Sequence, residues 1–331
     1  MKRPLTALAT ILLVSSMFPA QTRAASAGDL MAETARRFLG SLDDAQRAKA
    51  TFAFDDAERL NWHWIPRARK GLPLKELTSY QRALAFALLN TGLSDKGYVT
   101  AATTMSYEEL IRIEEKGTGP VRDPELYYIS VFGTPGGDSW GWRWEGHHLS
   151  LNYTLKGNKI VSATPFMFGA NPATVADGPN KGLRNLADIQ DPIYALLASL
   201  DSDQKKAAIL SDVAPKIPAS PAAAKPLASG SDGIDVQKLN GDQKKLLISA
   251  LEAYVHLFPD EVSADLVEKL KAGHGEGHFA WFGPTDPSKP HAFRLQGPTV
   301  FIDFNDEQNN ANHIHTFYRN ADGDFGATAS K

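Results

Sequence analysis

The sequence predicts an α+β fold made of two tandem units, each a set of helices followed by an antiparallel meander, packed as one pseudo-symmetric body. Three observations predict it. A helix-start phrase of Leu, three mostly polar residues, Gln and then Lys or Arg occurs at Leu42…Gln46-Arg47, Leu77…Gln81-Arg82, Leu200…Gln204-Lys205 and Leu239…Gln243-Lys244. After the second and fourth copies the same succession of helix, strand and Gly/Pro-rich turn follows. Residues 299–304 alternate, with Val300, Ile302 and Phe304 set against Thr299, Phe301 and Asp303, the pattern of a strand with one buried face.

Taken in order, the chain opens with Lys2 and Arg3, an apolar run over residues 5–18, and Thr22-Arg23-Ala24. These are the parts of a secretory signal, so residues 1–24 are expected to be removed after Ala24. The run is too short to span a bilayer, and no cysteine follows it to carry a lipid. A periplasmic or secreted protein with no stable membrane span is expected. Residues 25–331 are read as a single domain of two repeats, about 42–175 and 200–331. A hydrophobic content of 43% is ample for a core. With a net charge of −3 and no basic stripe, a nucleic-acid partner is excluded. The absence of cysteine excludes disulfides and thiolate chemistry, leaving His, carboxylates, amides and hydroxyls.

Each Gln of the repeated phrase stands three residues after a capping residue, Asp43, Thr78, Asp201 or Asn240, which suits a capping box. Ser106-Tyr107-Glu108-Glu109-Leu110 and Ser263-Ala264-Asp265-Leu266 are expected to open two further helices. Strands should end at Phe132-Gly133 and Phe282-Gly283, and others begin near Asn158 and Asn312. In the strand after Arg143, Leu149, Leu151 and Tyr153 should face the core, with His148, Ser150 and Asn152 facing the other way. Residues 214–233, rich in Ala, Pro, Ser and Gly, form an exposed loop inside the second unit.

The sharpest chemical feature is His313-Ile314-His315. On a strand, residues i and i+2 share a face, so both imidazoles can reach one ion; the alternative is a pair of histidines hydrogen-bonded within a polar sheet face. His147 and His148 are strand neighbours in this reading, so one metal takes only one of them unless a bulge intervenes. Glu145 and Arg143 lie close enough in sequence to be catalytic partners of such an ion. Trp142, Asn152 and Asn312 are candidates for binding a ligand. The alternation of Trp140, Trp142 and Trp144 makes a one-faced ladder, either a ligand platform or, the favoured reading, a core stack with Trp142 as the best exception. His63, flanked by Trp62 and Trp64, either lines a pocket or packs between helices. In His274-Gly275-Glu276-Gly277-His278 the glycines oppose the helix that this spacing would need. No His-Glu-x-x-His, Walker, nucleotide or nucleophile-elbow motif is present.

Several phrases are distinctive together: Trp140-Gly141-Trp142-Arg143-Trp144-Glu145-Gly146-His147-His148, Phe168-Gly169-Ala170-Asn171-Pro172-Ala173, and Asn309-Asn310-Ala311-Asn312-His313-Ile314-His315-Thr316 with Arg319 and Asp324-Phe325-Gly326. The chain resembles the bacterial domain-of-unknown-function family numbered 3500 over nearly all of its mature length. The resemblance implies no established reaction, and the sequence departs from it after Phe325-Gly326, where a further segment with another His is expected and Ala327-Thr328-Ala329-Ser330-Lys331 stands instead. Arg319 joins the ligand-binding candidates. The sequence thus points to an exported metalloprotein with copper or zinc on His313, His315 and one of His147 and His148, acting on a small-molecule substrate by hydrolysis or oxidation. A non-catalytic exported binder of a small polar or aromatic ligand is the alternative, and a structural envelope protein the third reading.

Overall fold

Four capped helix starts set the frame. Asp43, Thr78, Asp201 and Asn240 each accept from the backbone N–H of the Gln three residues on, and each Gln returns to the N–H of its cap. The glutamines also meet in pairs. Gln46 Nε2 donates to Gln81 Oε1 at 3.1 Å, and Gln204 Nε2 to Gln243 Oε1 at 2.9 Å. One amide therefore satisfies a helix N-terminus and ties it to the next.

The computed structural model describes residues 25–216, 232–272, 276–298, 300–320 and 323–326. The expected signal peptide, residues 217–231 of the Ala/Pro-rich loop, and His274 lie outside the described residues. The first half runs α1 (Ala27–Gly40), α2 (Asp44–Ala50), β1 (Thr51–Phe52), β2 (Leu72–Pro73), α3 (Ser79–Gly92), α4 (Asp95–Glu114), β3 (Tyr128–Gly133), β4 (Trp140–Gly146), β5 (Leu149–Lys156), β6 (Lys159–Ser162) and β7 (Phe166–Ala170). The second half runs α5 (Ala187–Ser199), α6 (Ser202–Ala208), β8 (Ile209–Ser211), β9 (Ile234–Asp235), α7 (Gly241–Val255), α8 (Asp260–Ala272), β10 (His278–Phe282), β11 (His291–Gln296), β12 (Val300–Asp306) and β13 (Ile314–Asn320). The class is α+β, as expected.

All strands join one mixed sheet in the order β1-β3-β4-β5-β7-β13-β12-β11-β10-β8, with β2, β6 and β9 on β3, β5 and β10. Its long strands are antiparallel; β1 on β3 and β8 on β10 are parallel. The halves meet at β7 and β13, where Phe166 pairs with Tyr318 and their rings stack at 4.9 Å.

Two predicted helix starts are corrected. Ser106 lies inside α4, which begins at the cap Ser94, and its hydroxyl bonds back to the Thr103 carbonyl. Ser263 lies inside α8 and donates to the carbonyls of Val255 and Phe258, closing the end of α7. A Ser in a helix can satisfy a nearby carbonyl as readily as it caps a start, and its sequence looks the same.

Helices cover one sheet face. Trp140, Trp142 and Trp144 are buried there, with Trp142 flat on Tyr153 at 4.4 Å. Gly92 of α3 makes this close approach possible, since a Cβ there would fall 2.7 Å from the Trp142 ring. The tryptophan ladder is core. On the other face the segment over residues 53–70 crosses β4, and Trp62, Trp64, Met167, Phe317 and Phe325 form a second apolar cluster.

Candidate metal centre

β4 and β5 are joined by a two-residue turn, Gly146 pairing with Leu149, and the turn is His147-His148. His148 has φ 61°, the left-handed region, which histidine enters more readily than bulkier or branched residues. The expectation that the two histidines are strand neighbours pointing apart is thereby corrected: at a turn the alternation stops. Their rings lie face to face, centroids 3.7 Å apart. The turn is pinned on both sides, His148 N donating to the Trp64 carbonyl at 2.9 Å and its carbonyl accepting from Gly169 N at 2.8 Å. Gly169 is required here, because a Cβ would stand 2.8 Å from both His148 Cγ and the Ile314 carbonyl.

β13 brings the other pair. His315 is buried on the face away from the helices, paired with Gly169 and Asn305, while His313 precedes the strand and is half-buried. Asp306 at the end of β12 fixes the entry, accepting from His313 N at 2.8 Å. His148 Nε2 stands 2.8 Å from His313 Nε2 and 3.2 Å from His315 Nε2. His147, His148 and His313 each offer a ring nitrogen, all within 4.8 Å of one another. Metal–nitrogen bonds of about 2.0–2.1 Å, at angles between square and tetrahedral, place ligand nitrogens about 2.9–3.4 Å apart; the His148–His313 and His148–His315 distances lie at that spacing, and the set with His147, within 4.8 Å, would draw in by side-chain rotation to share an ion.

The electrostatics favour neutral ligands. Burial, reinforced by the neighbouring imidazoles, holds His148 and His315 well below the ordinary histidine range. Burial first, then His147 and Arg122, pushes His313 down to about 3. Burial also lowers His147, against the pull of Glu108. Lone pairs are therefore available at neutral pH.

Glu108 and Arg122 complete the surroundings, and neither was marked by the sequence as part of a site. Buried Glu108 of α4 bonds His147 Nδ1, which fixes the ring and leaves Nε2 for an ion. Tyr127 OH donates to the His147 carbonyl at 2.7 Å. Arg122, held by Glu115, lies against the His147 ring. The signal for Glu108 was its position in a helix feeding the meander; Arg122, in a connection, carries none.

The other candidates lie apart from the four imidazoles in their bonding. Arg143 and Glu145 belong to a buried ion chain: Arg143 Nη2 meets Glu58 Oε1 at 2.6 Å, Arg143 Nε meets Glu145 Oε2 at 3.1 Å, and Arg69 Nε meets Glu145 Oε1 at 2.8 Å. Burial pushes Glu145 upward against both arginines. Asn152 donates to the Pro165 carbonyl, Asn312 accepts from Thr174 N, and Arg319 pairs with Asp324 at 2.7 Å. His63 is half-buried between Asn61 and Arg67.

A buried histidine cluster at the tip of a hairpin in an α+β body defines a protein able to hold a metal ion. The family described as "Protein of unknown function (DUF3500)" matches residues 24–327, and the chain belongs to it. Comparison with curated proteins and with solved structures gives no match. Among the described residues no helix is long and apolar enough to cross a membrane.

Proposed function

We propose that this chain is an exported metal-dependent enzyme holding copper or zinc on His147, His148 and His313, with His315 as the adjoining fourth imidazole. The observation that carries it is the convergence of His148 Nε2 with the Nε2 atoms of His313 and His315 at 2.8 and 3.2 Å. In the zinc form such an ion is a Lewis acid suited to hydrolysis, and in the copper form a redox centre. The chain's own part is to keep the imidazoles neutral, to orient His147 through Glu108 and to exclude bulk water by burial. Arg143 and Glu145 support the hairpin from below, and Trp142, Asn152, Asn312 and Arg319 serve packing. The contacts of Asn152, Asn312 and Arg319 within the chain favour this reading over a non-catalytic binder of a polar ligand.

Elemental analysis of mature protein purified without a histidine tag tests this. One copper or zinc per chain is expected. Protein that stays metal-free after exposure to both ions defeats the reading. Export is supported by residues 2–24, of which 2–23 precede the family match. Mature protein should begin near Ala25 outside the cytoplasm, and cytosolic protein retaining Met1 would end that part.

The body is also read as an internal duplication, of about 42–175 and 200–331. Support comes from the recurrent capping boxes, the paired glutamines and the matching order of strands about β7 and β13. α1 and α5 precede those limits alike, so each unit extends to include one more helix. Superposing 77–153 on 239–304 should bring Gly146 onto Gly297 and Leu151 onto Ile302.

A further inference from the structure

Of the three imidazoles that could share an ion only His313 is not fully buried, and beside His147 the chain presents one group that its own structure does not fully use. Arg122 lies between α4 and β3 with its side chain 8% exposed. Glu115 grips one edge of its guanidinium, accepting from Nε at 2.9 Å and from Nη2 at 2.6 Å. The remaining amino group, Nη1, faces His147, 3.3 Å from Nδ1 and 3.5 Å from Nε2. Nδ1 is already bonded to Glu108, so the lone pair of the neutral ring is on Nε2. An ion on Nε2 takes that lone pair and leaves the Arg122 amino group without its acceptor. Glu108, bonded to His147 Nδ1, attracts Arg122 through its charge, and a buried charged donor that loses a hydrogen-bond acceptor favours a new one, which an anion in the coordination position beside His147 would supply.

We propose that Arg122 holds a small anion of the carboxylate class against the ion, resting on the metal reading above. One oxygen of the anion occupies the open position and the other accepts from Nη1. The anion would enter past His313, which is half-buried where His147 and His148 are buried. Glu115 is a positioning residue, because its two bonds aim the guanidinium and it need not touch the anion.

The test uses the full mature chain loaded with copper. Azide is titrated in and followed by its charge-transfer band, and acetate is then added as competitor. The native protein should bind azide saturably and release it to acetate. Arg122→Gln should retain one copper per chain and its melting transition, yet bind both anions about ten- to a hundredfold more weakly. Arg122→Lys should recover part of the loss, and Glu115→Gln should weaken binding by a smaller factor than Arg122→Gln. Unchanged anion affinity in Arg122→Gln overturns the proposal, as does a copper form that binds neither anion. If Arg122→Gln does not fold, Arg122→Lys decides, since affinity equal to the native chain's overturns it. A chain that takes up no copper or zinc fails earlier, before any anion is added, and so refutes the metal reading instead.

Discussion

The β4–β5 and β11–β12 hairpins carry an arginine at matching places, Arg143 opposite Asn152 and Arg294 opposite Asp303, with different outcomes. Arg143 is bound on every side: Glu58 gives a carboxylate and a backbone carbonyl, Asn61 another carbonyl, and Glu145 a second carboxylate. Arg294 stands 3.7 Å from Asp303, and Arg294 Nε, Gln296 Oε1 and Asp303 Oδ2 are buried with no hydrogen-bond partner, whereas the first hairpin's Glu145 Oε2, also without a hydrogen bond, has Arg143 Nε at 3.1 Å. Burial pushes the Asp303 carboxyl up to about 6. The comparison teaches that a buried charge is tolerated where a covering segment brings acceptors to it. Residues 58–69 do so in the first half, and the same cover supplies the Trp64 carbonyl that pins the histidine turn.

The largest effect that would break the comparison concerns the hairpin tips, where the first half has imidazoles and the second has Pro298. His148→Asn tolerates the left-handed backbone and removes the shared nitrogen. It should lower metal affinity by at least about a hundredfold, while Glu108→Gln should lower it about ten- to a hundredfold, both read by competition with a chelator. The melting curve of the metal-free protein should change little in either. Equal metal binding by His148→Asn would place the ion elsewhere.

Next comes the ion chain. Glu145→Ala leaves Arg69 and Arg143 short of a buried acceptor and should cost about 3–5 kcal/mol in urea unfolding. Arg294→Met, at the loosely paired counterpart, should cost less than about 1 kcal/mol, because its charge gains little from a partner 3.7 Å away. Similar losses at both sites would remove the contrast.

Asp303 sharpens it through pH. The folded state holds this proton up to about 6, against an ordinary value of 3.8, so stability is greatest below 3.8, declines as pH rises to about 6 and stays at that lower level above. Asp303→Asn should therefore stabilise by on the order of 2 kcal/mol at pH 7 and by nothing at pH 3.5, read by urea unfolding at both. The smallest effect tests likeness rather than difference. Gln81→Ala and Gln243→Ala each remove one reciprocal amide and should cost about 1 kcal/mol apiece, equal between halves.

The fold class and the capping boxes were legible because both are local. A cap and its Gln lie three residues apart, and strand alternation repeats every second residue. The His set was legible as residue types, but its geometry was not. Alternation through Gly146-His147-His148-Leu149 continues smoothly in the sequence, and nothing there marks a turn as Asn-Gly would. Nearness in sequence put Arg143 and Glu145 forward as catalytic partners, and it gave no sign of the buried ion chain in which both are held. Their partners Glu58 and Arg69 are 85 and 76 residues away, and such pairing leaves no periodic trace. Glu108 was hidden by the reading of Ser106 as a helix start, which treated its carboxylate as part of a helix terminus.

His148 and His313 are 165 residues apart, and β13 is the last strand of the sheet. An ion bound to both could be captured only after β13, the last strand in chain order among the described residues, has docked, so on the metal reading uptake would come late in folding. A growing or still unfolded chain holds at most two adjacent imidazoles of the set at once. On the proposed metal reading, the ion would be chosen where folding finishes, and the supply of copper and zinc there would count alongside the ligands themselves.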